Sequence, residues 1–312
     1  MTIHILNSRS NFRKEDLELL DTHKATFYEQ KGTSLDTLNI QSENEEIVLG
    51  VHPSYIEGGY DGLVIERLQK IKKLKGICLS TTAYGWAPFE ELSKLHIPVC
   101  NVPGKSTDSV GEYYVFMMIA LLRKLPQIIK NDWRFEYSSE IVGTQAKGLR
   151  VGIVGLGKIG SKIAHLCEAY GMNISYWNRN KRDVAYPYIE LDELFSTSDV
   201  VFVTVIADAT TKGMINKELI DNMKKTALFL SPVDAMVFDR KHIIDKVARN
   251  ELGGLGFETH RRKLSDFKGN VFAAPEVGYY THETLAKESQ IMTESLLSIV
   301  SGKPKNVVND IE

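Results

Sequence analysis

The stretch VGIVGLGKIG, residues 151–160, constrains the fold of this chain more than any other feature. An apolar run leads into Gly155, Gly157 and Gly160, and the amphipathic stretch SKIAHLCEAYG follows at once. Gly155 permits a tight turn, and Gly160 lets a helix pack closely against the preceding strand. The pattern therefore predicts a strand, a turn and a helix that belong to a parallel α/β sheet.

The same glycine spacing indicates a dinucleotide site. Gly157 would let a pyrophosphate approach the backbone, and the helix N-terminus would supply amide donors with a partial positive charge. We expect the cofactor to contact Gly155, Gly157, Lys158, Ile159 and Gly160. Three glycines alone are a weak signal, but the strand before them and the helix after them supply the context that the motif requires. The alternative is a glycine-rich turn without a ligand.

The second strand of this unit, NISYW, is followed by Asn178, eighteen residues after Gly160. An NAD-selective site carries Asp or Glu at this point to hold the ribose hydroxyls. Asn178 removes the charge that would repel a 2′-phosphate, and Arg179, Lys181 and Arg182 follow with groups suited to a phosphate. The sequence predicts a preference for NADPH, with NADH still possible. The alternative is that NRNKRD is a solvated turn.

Short β-branched runs alternate with helical stretches along the chain. They are continuous in apolar residues, as in strands buried on both faces, and intervening helices make parallel crossovers the natural connection. The runs are IHIL, EEIVLGV, GICLS, VGIVG, ISYW, VVFVTVI, ALFLS and VFAAP. The chain is therefore expected to be an α/β protein. Between about 109 and 134, VGEYYVFMMIALLRKL indicates a helix buried in the core or against a partner subunit, with a dimer interface favoured.

Composition limits the classes of function. A formal net charge of −2 with 43% apolar and 25% charged residues argues against a nucleic-acid or membrane-surface role. The N-terminus lacks a signal pattern, and the longest apolar run is about half of a bilayer span, so a cytoplasmic protein is expected. Cys78, Cys100 and Cys167 lack metal-ligand spacing, so we expect free core thiols and no metal site.

Taken together, the motifs resemble the D-isomer-specific 2-hydroxyacid dehydrogenases, a family that includes glyoxylate and hydroxypyruvate reductases and phosphoglycerate dehydrogenase. The resemblance rests on IPVCNVPGKSTDSVGEY, VGIVGLGKIG, DATTKGMINKELIDNMKKTALFL, PEVGYYTHET and GKPKNVVN. It implies a homodimer and two doubly wound, Rossmann-like lobes with parallel sheets. A discontinuous, flavodoxin-like substrate lobe would comprise residues 1–101 and 284–312. Residues 102–283 would form the NAD(P)-binding lobe, with the dimer helix near its start.

The family uses three catalytic groups: an Arg that grips the substrate carboxylate, a His that passes the proton and a Glu that holds that His. By the resemblance, SPVDA replaces the turn that carries the Arg, which puts Asp234 at that position. Glu276 follows Pro275 where the His is expected, and the Glu position falls on Lys263, or on Arg262 if the register shifts. All three positions have changed their chemistry.

Asp234 would disfavour an ordinary 2-oxo acid in the family's usual pose. Two carboxylates about 4 Å apart, at an effective dielectric near 20, repel each other by roughly 4 kcal/mol, about a thousandfold in affinity. Either Lys263 or Arg262 neutralises Asp234, or the substrate brings a neutral or cationic group to it. The residues alone leave both explanations open.

Glu276 could donate the proton that a reduced carbonyl needs, if burial beside Asp234 raised its pKa towards neutrality. The alternative is that both acids only join an ion network with Arg261, Arg262 and Lys263. Three other candidate donors or substrate contacts follow closely, although aromatic side chains at a strand exit usually serve packing. They are Tyr279, Tyr280 and His282.

Further contacts are expected at other strand ends. In STTAYGWAPFEEL, which takes the place of the family's substrate-binding loop, Tyr84 and Trp86 would shape a larger or aromatic-lined pocket. Thr204 and Ile206 replace a His and a Pro that are frequent beside the nicotinamide, and Thr204 is expected at the cofactor. Two more cofactor contacts are expected, at Pro232 and Glu258.

Three functions remain open from the sequence. The favoured one is an NADPH-dependent oxidoreductase that reduces a carbonyl or imine in a non-standard active site. A second is a regulatory or sensor homologue that binds NAD(P) without catalysis. The third is an ordinary 2-oxo acid reductase, for glyoxylate or hydroxypyruvate, that uses substitute residues.

Overall fold

Each pairing between the strands of this structure is parallel. The computed structural model describes residues 1–40, 44–134, 137–233, 235–259 and 263–311. Its strands are β1 Thr2–Leu6, β2 Thr26–Phe27, β3 Ile47–Val51, β4 Leu74–Leu79, β5 Val99–Cys100, β6 Arg150–Val154, β7 Asn173–Trp177, β8 Val200–Val203, β9 Leu228–Ser231, β10 Gly254–Glu258 and β11 Val271–Ala274. Its α-helices are α1 Lys14–Thr22, α2 Ile65–Leu68, α3 Phe89–Lys94, α4 Thr107–Leu122, α5 Leu125–Lys130, α6 Lys158–Ala169, α7 Leu191–Thr197, α8 Lys217–Asp221, α9 Arg240–Ala248 and α10 His282–Val300.

The chain divides into two units, each built on one sheet. The first unit comprises Met1–Lys105 and Thr281–Glu312, and the second comprises Ser106–Tyr280. Strand order is β2-β1-β3-β4-β5 in the first unit and β11-β10-β9-β8-β6-β7 in the second. Both are doubly wound orders, in which the chain reverses its direction of travel across the sheet. The predicted α/β class with two doubly wound parallel sheets is confirmed.

The first unit is discontinuous in sequence because α10 packs against β3 and β4. Gly50 and Gly76 lie beneath this helix, and a Cβ at either would stand 2.8 Å from Met292 Cε or 2.9 Å from Ile299 Cγ2. The chain then returns beside β5, where the Val308 amide donates to the Val99 carbonyl over 2.8 Å. The N-terminal 105 residues and the C-terminal tail therefore share one hydrophobic core.

In the second unit, α4 lies in the core. Ten of its residues are buried, and it packs against α6, where a Cβ on Gly111 would stand 2.6 Å from Lys162 Cγ. Among its large apolar side chains, Tyr113 and Ile119 are half-buried and Phe116 is 51% exposed. No helix among the described residues is long and apolar enough to cross a membrane. Cys78, Cys100 and Cys167 are free and buried, as expected.

The structure departs from the sequence-based elements at a few places. Three strands were absent from the predicted runs: the two-residue strands β2 and β5, and β10, whose sequence GLGFE holds two glycines. The predicted long helix also ends early. It stops at Leu122, Lys124 takes the left-handed conformation at φ 57°, and α5 begins there with a proline in its first turn. A proline in a helix interior would clash with the preceding turn, so a new helix starts instead.

A buried carboxylate joins α1 to α10. Asp16 is 2% exposed and accepts hydrogen bonds from Arg13 Nε and Nη2, each over 2.8 Å, and from Ser289 Oγ over 2.5 Å. The Ser289 hydroxyl in turn accepts from the Arg13 amide over 3.0 Å. This network fastens the C-terminal helix to the N-terminal part of the first unit.

Replacing Asp16 with Ala is expected to lower the free energy of unfolding by roughly 2–3 kcal/mol, because it leaves a half-buried guanidinium and a buried hydroxyl without their acceptor. Urea denaturation measures the change. Asp21→Ala is the matched control, since Asp21 pairs with Arg9 in an exposed ion pair that contributes little. Equal effects of the two substitutions would contradict the role given to Asp16.

Candidate functional site

The candidate cofactor and catalytic positions of the second unit follow the carboxyl ends of its strands. The glycine turn follows β6, Asn178 follows β7, Thr204 follows β8, Pro232 follows β9, Glu258 ends β10 and Glu276 follows β11. Ligands of open parallel sheets bind outside this edge, at the point where strand order reverses. In this sheet β6 stands at that point, between β7 and β8.

The three glycines of the turn occupy three different environments. Gly155 has φ +98°, and a Cβ there would stand 2.7 Å from the Val205 amide nitrogen. A Cβ on Gly160 would overlap the Gly155 carbonyl oxygen and stand 2.8 Å from Thr204 Oγ1. Around Gly157, by contrast, no described atom outside the adjoining backbone lies within 4 Å of a Cβ position. Two glycines therefore permit close packing, while the third leaves open space at the start of α6.

The first turn of α6 faces this open space with backbone groups. Gly157 is the N-cap residue, and it contributes no side-chain cap. Lys158 is exposed, and Ile159 packs against the core of the unit. The amides of such a turn carry a partial positive charge and fit a pyrophosphate, so the residues fit the phosphates of a dinucleotide.

The end of β7 is held to the glycine turn through Asn178. Its Oδ1 accepts a hydrogen bond from the Leu156 amide over 2.6 Å. The Arg182 guanidinium donates to the Leu156 carbonyl, and Lys181 Nζ lies 4.7 Å from the centre of the Tyr188 ring. The neutral amide of Asn178 therefore braces the turn, and two basic side chains beside it are engaged within the unit.

Arg179 extends to the segment that follows β8. Its Nη2 donates to Thr210 Oγ1 over 2.7 Å, and the Thr210 hydroxyl donates to Asp208 Oδ1 over 2.7 Å. Hydrogen bonds from the Thr210 hydroxyl and amide hold the pKa of Asp208 below its usual value, and the Arg179 charge adds to this. Arg179 is exposed, so its guanidinium can also meet a ligand at this edge.

Thr204, expected at the cofactor, supports the glycine turn. Its hydroxyl donates to the Gly155 carbonyl over 2.6 Å. Ile206 is 76% exposed two residues later, so it offers apolar surface at the edge of the sheet. Pro232 is half-buried and directly follows Ser231, whose hydroxyl donates to the Val203 carbonyl over 3.0 Å.

Glu258 is turned towards the protein. Its Oε1 accepts from the Gly278 amide over 2.7 Å, and Tyr114 Oη lies 3.4 Å from its Oε2. Burial raises the pKa of this carboxyl, the Gly278 amide opposes that effect, and the charge of Glu276 adds to it. Glu258 thus fastens the segment 275–280, which carries Glu276, to the end of β10. Sequence reasoning treated Glu258 only as a cofactor contact.

The residues at the three catalytic positions are only partly described. Asp234 lies outside the described residues, as do Arg261 and Arg262. Lys263 is exposed, and its amide donates to Asp266 Oδ2 over 2.9 Å at the start of a short 3₁₀ helix. Glu276 is exposed rather than buried, within reach of the electrostatic field of Glu258. Tyr279 and Tyr280 follow it, with ring centres 5.9 Å apart.

In the first unit, the predicted substrate loop is braced internally. Trp86 Nε1 donates to Thr81 Oγ1 over 2.9 Å and to the Ala83 carbonyl over 3.0 Å, and its ring meets Tyr60 edge to face. Tyr84 is 37% exposed and lies against Phe89. His282 is exposed at the start of α10. The indole N–H of Trp86 is thus committed to its own loop.

The glycine turn on a doubly wound sheet is typical of a dinucleotide-binding unit, and the comparison of families agrees. The model described as "D-isomer specific 2-hydroxyacid dehydrogenase, NAD binding domain" matches residues 115–283, more than half of the chain. The chain belongs to the D-isomer specific 2-hydroxyacid dehydrogenases, which act on carbonyl substrates with a nicotinamide cofactor.

Two curated relatives illustrate this family. A glyoxylate reductase of Thermococcus litoralis is 26% identical over 267 residues, covering 78% of this chain and 80% of the relative. A hydroxyphenylpyruvate reductase of Plectranthus scutellarioides is 28% identical over 281 residues, covering 86% and 87%.

Solved structures share the fold over the whole chain. A glyoxylate reductase from Paecilomyes thermophila has a TM-score of 0.83 at 20% identity and covers 100% of this chain and 99% of its own. An acyclic imino acid reductase in complex with NADPH and D-Arg has a TM-score of 0.82 at 20% identity and covers 99% and 100%. At 20% sequence identity, this structural similarity establishes the fold and nothing further.

Two glycine substitutions should separate packing from ligand binding. Gly160→Ala is expected to lower the free energy of unfolding by about 1–3 kcal/mol, because the new methyl group overlaps the Gly155 carbonyl.

Gly157→Ala should leave the free energy of unfolding unchanged and weaken NADPH binding about tenfold or more, because the methyl group enters the space where the phosphates would meet the backbone. Denaturation and fluorescence titration measure the two effects. Unchanged NADPH affinity in Gly157→Ala would refute the phosphate site.

Proposed function

We propose that this chain is an NADPH-dependent oxidoreductase that reduces a carbonyl or imine substrate in a non-standard active site. The proposal rests on one observation at the carboxyl edge of the second unit's sheet: the glycine turn suits a dinucleotide, whereas the catalytic positions of the family are substituted. The glycine turn keeps the close packing at Gly155 and Gly160 and the open space at Gly157 that a pyrophosphate would need. By the family resemblance, the positions of the catalytic Arg, Glu and His hold Asp234, Lys263 and Glu276.

The preference for NADPH is supported by the charges after β7. Asn178 brings no carboxylate to this strand end, and its amide oxygen is already engaged by the Leu156 amide. A 2′-phosphate would therefore meet no repulsion from this residue. Arg179 is exposed and would hold such a phosphate as a planar, charged donor. To do so it would exchange the Thr210 hydroxyl for a phosphate oxygen.

Reduction requires a hydride, which NADPH supplies when bound. It also requires a group that neutralises the charge that develops on the substrate. Reduction of a carbonyl creates an alkoxide that must receive a proton, and Glu276, which follows β11, would supply it. Glu276 is exposed, so a bound substrate would have to shield it from water before it could carry that proton. Glu258 holds its segment through the Gly278 amide. Glu276 would thus act as donor, and Glu258 would position it.

Acidic residues at the Arg and His positions also favour a cationic substrate. A protonated imine already carries its proton, so hydride addition yields the amine without a separate acid. Asp234 and Glu276 would attract such a cation, whereas they would repel a 2-oxo acid carboxylate in the family's usual pose. The imino acid reductase that shares this fold binds NADPH and D-Arg, which supports an imine as the substrate class.

A second candidate is a homologue that binds the cofactor without catalysis. The exposure of both Lys263 and Glu276 favours it, because a catalytic group that works away from water is usually buried. A third candidate, an ordinary 2-oxo acid reductase, is supported by the names of the curated relatives.

The first unit would be the substrate lobe, and the protein would act as a homodimer in the cytoplasm. Tyr84 and Trp86 would shape the loop that takes the substrate, with Trp86 holding that loop's form through its bonds to Thr81 and Ala83. Tyr279 and His282 would add further substrate contacts. The exposed, apolar Phe116 on α4 supports a partner subunit there.

Arg179→Ala is expected to raise the dissociation constant of NADPH about tenfold to a hundredfold, the effect of losing one charge-assisted hydrogen bond. The NADH constant should change little, because NADH lacks the 2′-phosphate. Calorimetric titration of both cofactors measures this, with Arg249→Ala as the control, since Arg249 is an exposed arginine paired with Glu251. Equal losses for the two cofactors would defeat the NADPH preference.

The function itself is tested by following NADPH absorbance with 2-oxo acids, amino-ketones and cyclic imines. We expect oxidation of NADPH with the imines or amino-ketones, and a drop in turnover of about tens-fold or more in Asp234→Asn and Glu276→Gln with NADPH affinity unchanged. Unaltered turnover in both variants would dispose of the residue assignment. Tight NADPH binding without oxidation across the panel would establish the non-catalytic homologue instead.

A further inference from the structure

A hydrogen bond joins the residues that follow β7 to those that follow β8. Arg179 Nη2 donates to Thr210 Oγ1 over 2.7 Å, although the two residues lie 31 positions apart in the sequence. In the sheet, β7 and β8 are the two neighbours of β6, which leads into the glycine turn. The end of β7 is where a dinucleotide-binding fold holds the adenine ribose. The bond therefore lies at the strand ends that would receive this part of the cofactor.

The Thr210 hydroxyl lies between two charged groups. Its proton is donated to Asp208 Oδ1 over 2.7 Å, because an ionised carboxylate can only accept. The Thr210 amide donates to the same oxygen over 2.8 Å. The lone pairs of the hydroxyl then accept from Arg179, so a chain of hydrogen bonds runs from the guanidinium through the hydroxyl to the carboxylate. Such chains polarise their members, so each bond strengthens the next.

The segment 206–211 holds Asp208 in place without help from Arg179. Thr211 is 6% exposed, and its hydroxyl donates to the Ile206 carbonyl over 2.7 Å and accepts from the Asp208 amide over 3.0 Å. The Thr211 amide adds a third hydrogen bond to Asp208 Oδ1, over 3.2 Å. Arg179, Asp208 and Thr210, by contrast, are exposed. Asp208 and Thr210 thus form a preorganised acceptor for Arg179, at a surface that a ligand can reach.

We propose that Thr210, oriented by Asp208, sets the cofactor specificity of this chain by giving Arg179 a partner that a 2′-phosphate must replace. The inference rests on the proposed function, because it concerns the cofactor that this function uses. It goes further in assigning specificity to two residues that follow β8, in addition to those that follow β7. The expected result is a moderate preference for NADPH, with NADH also bound.

NADPH and NADH would leave Arg179 with different partners. NADH lacks the 2′-phosphate, so Arg179 keeps its bond to Thr210 and its guanidinium retains an acceptor. NADPH brings a phosphate oxygen, which takes the place of the Thr210 hydroxyl, so the affinity gained is reduced by the bond that is lost. The charges of Asp208 and Arg179 also act on each other, so Asp208 would repel the phosphate that Arg179 holds.

Two simpler roles for Thr210 predict different results. If Thr210 only shapes its own turn, its loss changes the free energy of unfolding and affects both cofactors equally. If its hydroxyl aims Arg179 at the phosphate, its loss weakens NADPH binding. Thr210→Val removes the hydroxyl and keeps the shape of the side chain, and Thr210→Ser keeps the hydroxyl as the matched control. Asp208→Asn removes the charge and keeps an oxygen that the Thr210 amide can use.

The experiment is calorimetric titration of the protein with NADPH and with NADH, in the absence of substrate. In Thr210→Val we expect NADPH to bind about threefold to tenfold more tightly, and NADH to bind as it does to the native protein. Thr210→Ser should retain both native constants. Asp208→Asn should tighten NADPH binding about threefold and leave NADH binding unchanged. Once Arg179 is replaced by Ala, Thr210→Val should have no further effect, because the two residues act as a coupled pair.

Any of four results would overturn the proposal. They are an unchanged NADPH constant in Thr210→Val, weaker NADPH binding in that variant, equal changes for NADPH and NADH, and the same gain in NADPH affinity after Arg179 is replaced by Ala.

The proposed function fails on different results. Because binding is measured without substrate, a protein that oxidises no NADPH across the substrate panel would refute the proposed catalysis and leave this inference in place. An unchanged NADPH constant in Arg179→Ala would refute the proposed NADPH preference and this inference with it. Loss of NADPH affinity in Arg179→Ala, without a gain in Thr210→Val, would refute this inference alone.

Discussion

The close approach of α6 to the ends of β6 and β8 is the contact on which the second unit depends. Gly160 brings the helix so near that its backbone meets the Gly155 carbonyl, and the Thr204 hydroxyl donates to that same oxygen. A side chain at position 160 would separate helix from sheet, and a residue that avoids positive φ would not make the turn at Gly155. The open space at Gly157 exists because its two neighbouring glycines hold the turn in place.

The carboxyl edge of the second unit brings two acids together at neighbouring strand ends. Burial raises the pKa of Glu258, the Gly278 amide opposes that effect, and the charge of Glu276 adds to it. By the family resemblance, the cation that grips the substrate lies after β9, where this chain carries Asp234. This change of charge is the physical reason for proposing a cationic substrate at this edge.

Some secondary-structure elements could be predicted from the local sequence pattern, and others could not. VGIVG and ALFLS are continuous apolar runs, and they form β6 and β9. The run GLGFE forms β10 although its glycines disfavour a strand; there, a Cβ on Gly256 would stand 2.9 Å from Leu230 Cδ2 of the neighbouring strand, so packing selects glycine. The strands β2 and β5 contain two residues each, too few to show a period. Pro126 lies in the first turn of α5 and could have indicated that α4 ends before it. The continuous apolar run made the two helices look like one.

By itself the sequence determined the α/β class with parallel crossovers and the glycine turn, because these follow from short-range periodicity and from conformations that only glycine adopts readily. The division into two sheets was implied by the family resemblance. Tertiary structure decided which polar atoms already have partners. Asn178 braces Leu156, Glu258 binds Gly278, and Trp86 closes its own loop. The first two of these partners lie 22 and 20 residues away, so no local pattern reveals them. The ligand-facing atoms of the site are those that remain after such bonds form, and only the folded chain brings the partners together.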